Sequence, residues 1–165
     1  MKISTIVPTY NRPKALKLSL LSLANQSMLP SEVLIADDGS MEETGGMIRE
    51  MRQRLSDAFP IRHVWQEDIG FRKPKILNEA VRQASGDYLV FIDGDCMAHR
   101  HFIRSHAEKS SAGSILSGKR VEIGKQLTGK LLEQGTILQE WNKEAMTRRD
   151  GMHAAKADIL TSDLT

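Results

Sequence analysis

Residues 88–96 read Tyr-Leu-Val-Phe-Ile-Asp-Gly-Asp-Cys. An unbroken apolar run of this length is typical of a strand that a parallel sheet buries on both faces. Asp93 and Asp95 then fall at the carboxyl end of that strand, where ligands bind in open α/β sheets. Two carboxylates so close repel each other unless a cation lies between them, and an oxygen-rich site suits Mg²⁺ or Mn²⁺. An acidic turn that binds nothing is the alternative for this motif taken alone.

The composition is that of an ordinary globular protein. The 165 residues, 40% hydrophobic and 27% charged, are enough to bury the core of a single domain. A net charge of +2 without a dense Lys/Arg stripe argues against nucleic acid as a partner. The one cysteine, Cys96, allows no internal disulfide and fits a reducing compartment. No apolar stretch suits a transmembrane segment or a signal peptide, which predicts a cytoplasmic protein, with contact at the cytoplasmic face of a membrane left open.

Apolar patterning predicts strands and helices that alternate from the first residues onward. Strands are predicted at Lys2–Val7, Val33–Ala36, Ile61–Trp65 and 88–92, with Pro8 ending the first. Helices are predicted with Pro13 in the first turn and Asn11 as cap, around Met47–Leu55, and at Lys75–Ala84 with Gly86 as a left-handed cap. A short helix at 102–108, a strand at 114–118 or 120–123 and a helix over 127–146 follow. This order favours right-handed βαβ units, and so a three-layer, Rossmann-like α/β/α fold with a mainly parallel sheet.

Polar loops follow three of the predicted strands. They lie at 9–11, 37–40 and 93–95, after the first, second and fourth strands. Loops that follow parallel strands emerge at one edge of the sheet. Three polar loops at one edge predict a binding site there more strongly than any one of them does.

Four motifs in this order resemble the inverting family 2 glycosyltransferases. They are Val-Pro-Thr-Tyr-Asn-Arg at 7–12, Ile-Ala-Asp-Asp-Gly-Ser at 35–40, Gly-Phe-Arg-Lys-Pro-Lys-Ile-Leu-Asn at 70–78 and Gly-Asp-Tyr-Leu-Val-Phe-Ile-Asp-Gly-Asp at 86–95. The resemblance covers about residues 2–110 and implies the fold called GT-A. It also implies a metal-dependent transfer of a sugar, with inversion, from a nucleotide-sugar donor, usually a UDP-sugar. The cofactor would be Mn²⁺ or Mg²⁺.

The resemblance also assigns roles to individual residues. Asp95 matches the direct metal ligand, and Asp93 matches the acid near the ribose and the metal. Asp38 matches the carboxylate that reads the base, and a carboxylate suits the N–H of uracil. The rest of the donor-binding set comes from the same motifs and comprises Pro8, Thr9, Tyr10, Arg12, Arg72, Lys75, Asn78 and Gly94. Simpler roles stay open, because Asp38 could belong only to a tight turn and the basic residues only to a solvated face.

The resemblance weakens toward the C-terminus. We expect residues 1–110 to form the donor-binding half and 111–165 a partial or divergent, mainly helical, acceptor-side segment, within one domain overall. The acceptor, a carbohydrate or a lipid-linked molecule, is not indicated. No catalytic base stands out after residue 110, where the acidic candidates are Glu133, Glu140, Asp150, Asp158 and Asp163.

Two other functions remain possible on the sequence. The segment Arg148–Thr165 lacks the family's usual Gly-x-Asn-x-x-x-x-Arg pattern. A nucleotide-sugar-binding module, or a truncated transferase with little or no activity, would explain this. A nucleotidyltransferase fits less well, because the loop at 8–12 lacks the glycines of a phosphate-binding loop.

Overall fold

The structure is a computed structural model that describes residues 1–138 and, for the backbone alone, residues 160–163. The chain forms two compact units, Met1–Arg104 and Ser105–Thr165. Strands and helices alternate in the described residues, in the order β1 (Ile3–Thr9), α1 (Pro13–Ala24), β2 (Glu32–Asp37), α2 (Glu42–Arg54), β3 (Ile61–Trp65), α3 (Lys73–Gln83), β4 (Tyr88–Phe91), α4 (Phe102–Lys109), β5 (Ser114–Ser117), α5 (Lys125–Gln134) and β6 (Leu160–Asp163).

A parallel sheet with the strand order β3-β2-β1-β4 is the centre of the first unit. In β1, Ile6 lies beside Leu34 of β2 and Phe91 of β4. From β1 to β3 the chain steps across the sheet in one direction, and then it returns past β1 to place β4 at the other edge. Right-handed crossovers therefore put α1 and α2 on one face and α3 on the other. The predicted three-layer α/β/α fold with a parallel sheet is confirmed.

Apolar side chains cover both faces of this sheet. Every residue of β1 and β2, the two inner strands, is buried. The run at 88–92 was predicted to be buried on both faces, and this is wrong, because β4 is an edge strand in which Val90 is buried and Phe91 is exposed. On the α3 face, Ile76 and Ala80 pack against Ile6 and Leu34. Full burial of one such Ile or Leu side chain contributes about 1.5–3 kcal/mol, so these layers hold the strand ends in fixed positions.

Two other local predictions in the first unit are wrong. β1 does not end before Pro8 but continues through it to Thr9. The carbonyl of Pro8 accepts the N–H of Gly94 at 3.0 Å, so the missing N–H of Pro8 also faces the turn after β4. The paired residues of β1 and β4 end before this point, so the proline removes no hydrogen bond between the strands. Gly86 does not adopt a left-handed conformation. A glycine is needed there because a Cβ would lie 2.6 Å from the hydroxyl oxygen of Ser4.

The second unit pairs β5 with β6 in antiparallel register, with Ser114 opposite Asp163. This confirms the strand predicted at 114–118. The predicted helix over 127–146 begins earlier, at Lys125, and ends at Gln134, where Gly135 takes a left-handed φ of 63°; residues 139–146 lie outside the described residues. None of the helices described in either unit is both long and apolar enough to cross a membrane.

Candidate functional site

The candidate site lies at the carboxyl edge of the four-stranded sheet. The chain passes from β1 to β2 and β3 in one direction, and then reaches β4, on the other side of β1, through α3 on the opposite face. The strand order therefore reverses at β1, and ligands of open α/β sheets bind at such a topological switch point. The loops after β1, β2, β3 and β4 all emerge at this edge.

The turn that carries the two aspartates is held against β1. Gly94 donates its N–H to the carbonyl of Pro8 at 3.0 Å, and Cys96 donates its N–H to the carbonyl of Asp93 at 2.9 Å. A Cβ on Gly94 would stand 2.6 Å from the Pro8 oxygen, so only glycine fits between the turn and β1. The close approach fixes the position of Gly94, and with it the positions of its two neighbours, Asp93 and Asp95.

Each of these aspartates forms an ion pair with a basic residue at the start of a helix. Lys73 Nζ lies 2.8 Å from Asp93 Oδ1, and Arg12 Nη1 lies 3.0 Å from Asp95 Oδ2. Lys73 is the first residue of α3, and Arg12 is the residue that precedes α1. The positive end of a helix dipole disfavours cations at these positions. Two basic side chains there are better explained by anionic groups in front of them than by helix stability.

The acidic turn also has the chemistry of a metal site. Ligand atoms of Asp93, Asp95 and Cys96 all lie within 4.8 Å of one another. Oxygen ligands of this kind suit Mg²⁺ and Mn²⁺, whereas the thiol adds little for so hard a cation. The two carboxylates therefore fit the metal that the resemblance implies.

Asp38 is buried and rigidly oriented in the loop after β2. Its Oδ2 accepts the backbone N–H of Arg72 at 2.9 Å, and its Oδ1 accepts a hydrogen bond from the side-chain amide of Gln66. A carboxylate oxygen has two lone pairs, so each oxygen can accept one more hydrogen bond. Asp38 is thus a fixed acceptor at the sheet edge.

The loop after β3 closes over this acceptor. Gly39 has a φ of 95°, and a Cβ there would lie 2.6 Å from the Cα of Asp68, so this loop lies directly on Gly39. Tyr10, half-exposed, donates its hydroxyl to Asp68 Oδ2 at 2.8 Å. The hydrogen bond to Asp68, together with the charge of that carboxylate, raises the pKa of Tyr10. The phenol therefore stays protonated and is held by the loop after β3.

The loops after β1 and β2 are joined by Asn11, the residue predicted to cap α1. Asn11 instead has a left-handed φ of 49° and accepts the N–H of Met41, at the start of α2, on its Oδ1 at 2.8 Å. Its own N–H donates to the hydroxyl of Ser40 at 2.9 Å. The cap prediction is wrong because this side chain serves the neighbouring loop.

The structure brings most of the predicted site residues together. Pro8 and Thr9 end β1 at this edge of the sheet, while the side chains of Lys75 and Asn78 are exposed on α3. Among the described residues, no hydrogen bond or ion pair joins either of these two side chains to the rest of the site. Lys73, two residues before Lys75, is the basic residue that reaches Asp93.

Three residues of the site, Lys73, Gln66 and Asp68, were not predicted from the sequence. Gln66 and Asp68 follow β3, and the rule that placed the other three loops at this edge applies to them as well. Of the acidic candidates for a base, Glu133 is exposed on α5 in the second unit, whereas Glu140, Asp150 and Asp158 lie outside the described residues.

Comparison with known proteins gives consistent matches. The family model of glycosyl transferase family 2 matches residues 4–161. Validoxylamine A glucosyltransferase from Streptomyces hygroscopicus subsp. limoneus is 35% identical over 120 residues, which cover 69% of this chain and 26% of that protein. The crystal structure of S. aureus TarS 1-349 in complex with UDP-GlcNAc has a TM-score of 0.57 and 30% identity, covering 66% of this chain and 30% of the TarS chain.

A further solved structure is similar in fold. The mannosyltransferase PcManGT from Pyrobaculum calidifontis, in complex with GDP-Man and Mn²⁺, has a TM-score of 0.62 and 25% identity, covering 72% of this chain and 36% of its own. The chain therefore spans about a quarter of the length of the curated relative and about a third of each solved chain.

Proposed function

Since the chain belongs to glycosyl transferase family 2, we propose that its first unit binds the nucleotide-sugar donor of a glycosyl transfer reaction. One observation carries this proposal. The oriented acceptor Asp38 and the paired aspartates Asp93 and Asp95 meet at one switch point, at the edge where α/β folds bind ligands.

Asp38 is the residue best suited to bind the base. An acceptor held by Gln66 and by the backbone of Arg72 cannot turn away, so it selects a base that offers an N–H in the matching place. Uracil offers such an N–H, and the ring of Tyr10 provides a face for stacking. The donor is therefore proposed to be a UDP-sugar. The TarS structure contains UDP-GlcNAc and the PcManGT structure contains GDP-Man, so the choice of base must be measured.

The acidic turn would hold the metal, with Asp95 as the direct ligand and Asp93 beside it. A bound Mn²⁺ or Mg²⁺ would neutralise the charge of the diphosphate leaving group. Arg12 and Lys73 lie at helix starts next to these carboxylates and can supply positive charge to phosphate oxygens. The donor-binding roles of the other members of the predicted set stay predictions, those of Lys75 and Asn78 among them.

The remaining features of the reaction rest on the sequence resemblance. Inversion at the sugar, a carbohydrate or lipid-linked acceptor, and a cytoplasmic location or one at the cytoplasmic face of a membrane are predictions. So is the division into a donor half at 1–110 and an acceptor-side segment at 111–165. The catalytic base is unassigned.

Calorimetry of nucleotide binding tests the proposal. UDP should bind in the presence of Mn²⁺, much more weakly with a chelator, and more tightly than GDP under both conditions. Binding to the native state at a hundredfold excess over Kd should also stabilise the protein by about 2.7 kcal/mol. Equal UDP affinities with Mn²⁺ and with chelator would contradict the metal, and a preference for GDP would contradict the uracil assignment.

A further inference from the structure

The two aspartates of the acidic turn carry their own counterions. Arg12, just before α1, pairs with Asp95, and Lys73, the first residue of α3, pairs with Asp93. Both pairs are partly exposed, with 67% of the Arg12 side chain and 39% of the Lys73 side chain accessible to solvent. Ion pairs this exposed are weak, so both cations can leave without unfolding anything.

We propose that Arg12 and Lys73 are resident counterions, which neutralise Asp95 and Asp93 while the site is empty and move to the phosphate oxygens when a diphosphate binds. The inference rests on the proposed function, because it takes the diphosphate and the divalent cation as the ligands of this turn. It adds that Arg12 and Lys73 exchange one anionic partner for another when the diphosphate and the divalent cation bind.

Competition for the same carboxylate oxygens is the physical basis. Asp93 Oδ1 and Asp95 Oδ2 each face an ammonium or guanidinium group at hydrogen-bond distance. A divalent cation alone must compete with these groups and then lie beside two displaced positive charges. A diphosphate alone must approach two carboxylates. When both ligands are present, the cations exchange carboxylate partners for phosphate partners, and no charge is left unpaired.

The consequence is strong coupling between the two ligands. Mn²⁺ and UDP should each bind weakly alone and tightly together, and the coupling must be the same in both directions. Loss of either basic residue should then have opposite effects on the two affinities. Without a resident counterion, the paired carboxylates attract a divalent cation more strongly, whereas the diphosphate loses a partner.

The test uses Arg12→Gln and Lys73→Gln, which keep most of the side-chain length and remove the charge. Mn²⁺ affinity without nucleotide is measured from the electron paramagnetic resonance signal of free Mn²⁺ at constant ionic strength. UDP affinity is measured by calorimetry with Mn²⁺ saturating. We expect each variant to bind Mn²⁺ alone about three- to tenfold more tightly and to bind UDP with Mn²⁺ about three- to tenfold more weakly.

Two matched controls remove a cation from an exposed ion pair on the same helices. Lys17→Gln on α1 loses its pair with Glu50, and Arg82→Gln on α3 loses its pair with Glu79. Neither control should change Mn²⁺ or UDP affinity. Thermal melting of all four variants should remain close to that of the original protein, which excludes misfolding as the cause of any change.

The outcomes separate this inference from the proposed function. Unchanged or weaker binding of Mn²⁺ alone by Arg12→Gln and Lys73→Gln overturns the inference, even if UDP binds as proposed. Unchanged UDP affinity in both variants overturns the transfer of the cations to phosphate. A protein that binds Mn²⁺ more tightly after either substitution, but never binds UDP, keeps the counterion role and rejects the proposed donor.

Discussion

Gly94 lies where the acidic turn touches β1, and its substitution tests how the turn is held. A Cβ at this position would be 2.6 Å from the carbonyl oxygen of Pro8 and 3.5 Å from Leu16 Cδ1. Such contacts essentially never fall below 3.0 Å in proteins, so Gly94→Ala must separate the turn from β1 by about 0.4 Å or more (from 2.6 to 3.0 Å). The neighbouring group is backbone in the centre of the sheet and cannot rotate away.

We expect Gly94→Ala to weaken both folding and ligand binding. The separation lengthens the 3.0 Å hydrogen bond from Gly94 to Pro8 and should lower the free energy of unfolding by about 1–3 kcal/mol. For a chain of this size, this corresponds to a fall in Tm of roughly 2–12 °C. Because Asp93 and Asp95 move with the turn, the affinity for UDP with Mn²⁺ should fall about tenfold or more.

Thermal melts and calorimetry on a pair of variants measure these effects. Gly118→Ala is the control, because a Cβ on Gly118 meets nothing within 4 Å and its φ is not positive. That variant should keep both the Tm and the affinity. If Gly94→Ala also kept both, the close approach to Pro8 would not be the reason for a glycine at this position.

Three further substitutions test separate parts of the first unit. Asp95→Asn should abolish the gain in UDP affinity that Mn²⁺ gives, yet shift the Tm by less than about 2 °C because its ion pair is exposed. Asp57→Asn, at an exposed position, is the control, and the same loss of affinity there would show a nonspecific charge effect. Asp38→Asn should weaken UDP about tenfold or more but leave pyrophosphate unchanged, and calorimetry that finds equal losses would refute its role in binding the base. Burial raises the pKa of Glu32, but hydrogen bonds from Ser4 and Ser85 outweigh it and leave the pKa lowered. Its carboxylate therefore stabilises the fold above the ordinary pKa of 4.5, and this stabilisation is lost as the pH falls through the lowered value. Urea melts between about pH 7 and pH 3 should show a shallower decline for Glu32→Gln, and parallel curves would contradict the sign of this shift.

The strands and the position of the site could be predicted because they depend on local patterns. Unbroken apolar runs predicted β2 and β4, and β3 has the predicted bounds, Ile61–Trp65. The rule for parallel sheets then placed Asp38, Asp93 and Asp95 at one edge, which is where the structure has them. Their functional roles remain predictions.

The errors come from contacts between residues far apart in the sequence. Gly86 is required by Ser4, 82 residues earlier, and no pattern around Gly86 reveals that. α3 begins at Lys73 rather than Lys75, and two residues turn a helix by more than half a revolution. The basic side chain that reaches Asp93 is therefore a different one from the predicted lysine. Gln66 and Asp68 were missed because only three of the four loops were considered.

The two ends of the sheet are fastened in different ways. At the amino end, the buried carboxylate of Glu32 accepts hydrogen bonds from Ser4 Oγ at 2.6 Å and from the N–H of Ser85 at 2.7 Å, and thereby joins β2, β1 and the segment after α3. At the carboxyl end, the acidic turn is held by the backbone hydrogen bond from Gly94 to Pro8 and by the partly exposed ion pairs of Asp93 and Asp95. Substitutions near Glu32 can therefore change the stability of the fold, and substitutions near Asp95 can change which ligand binds. Either property can vary with little effect on the other.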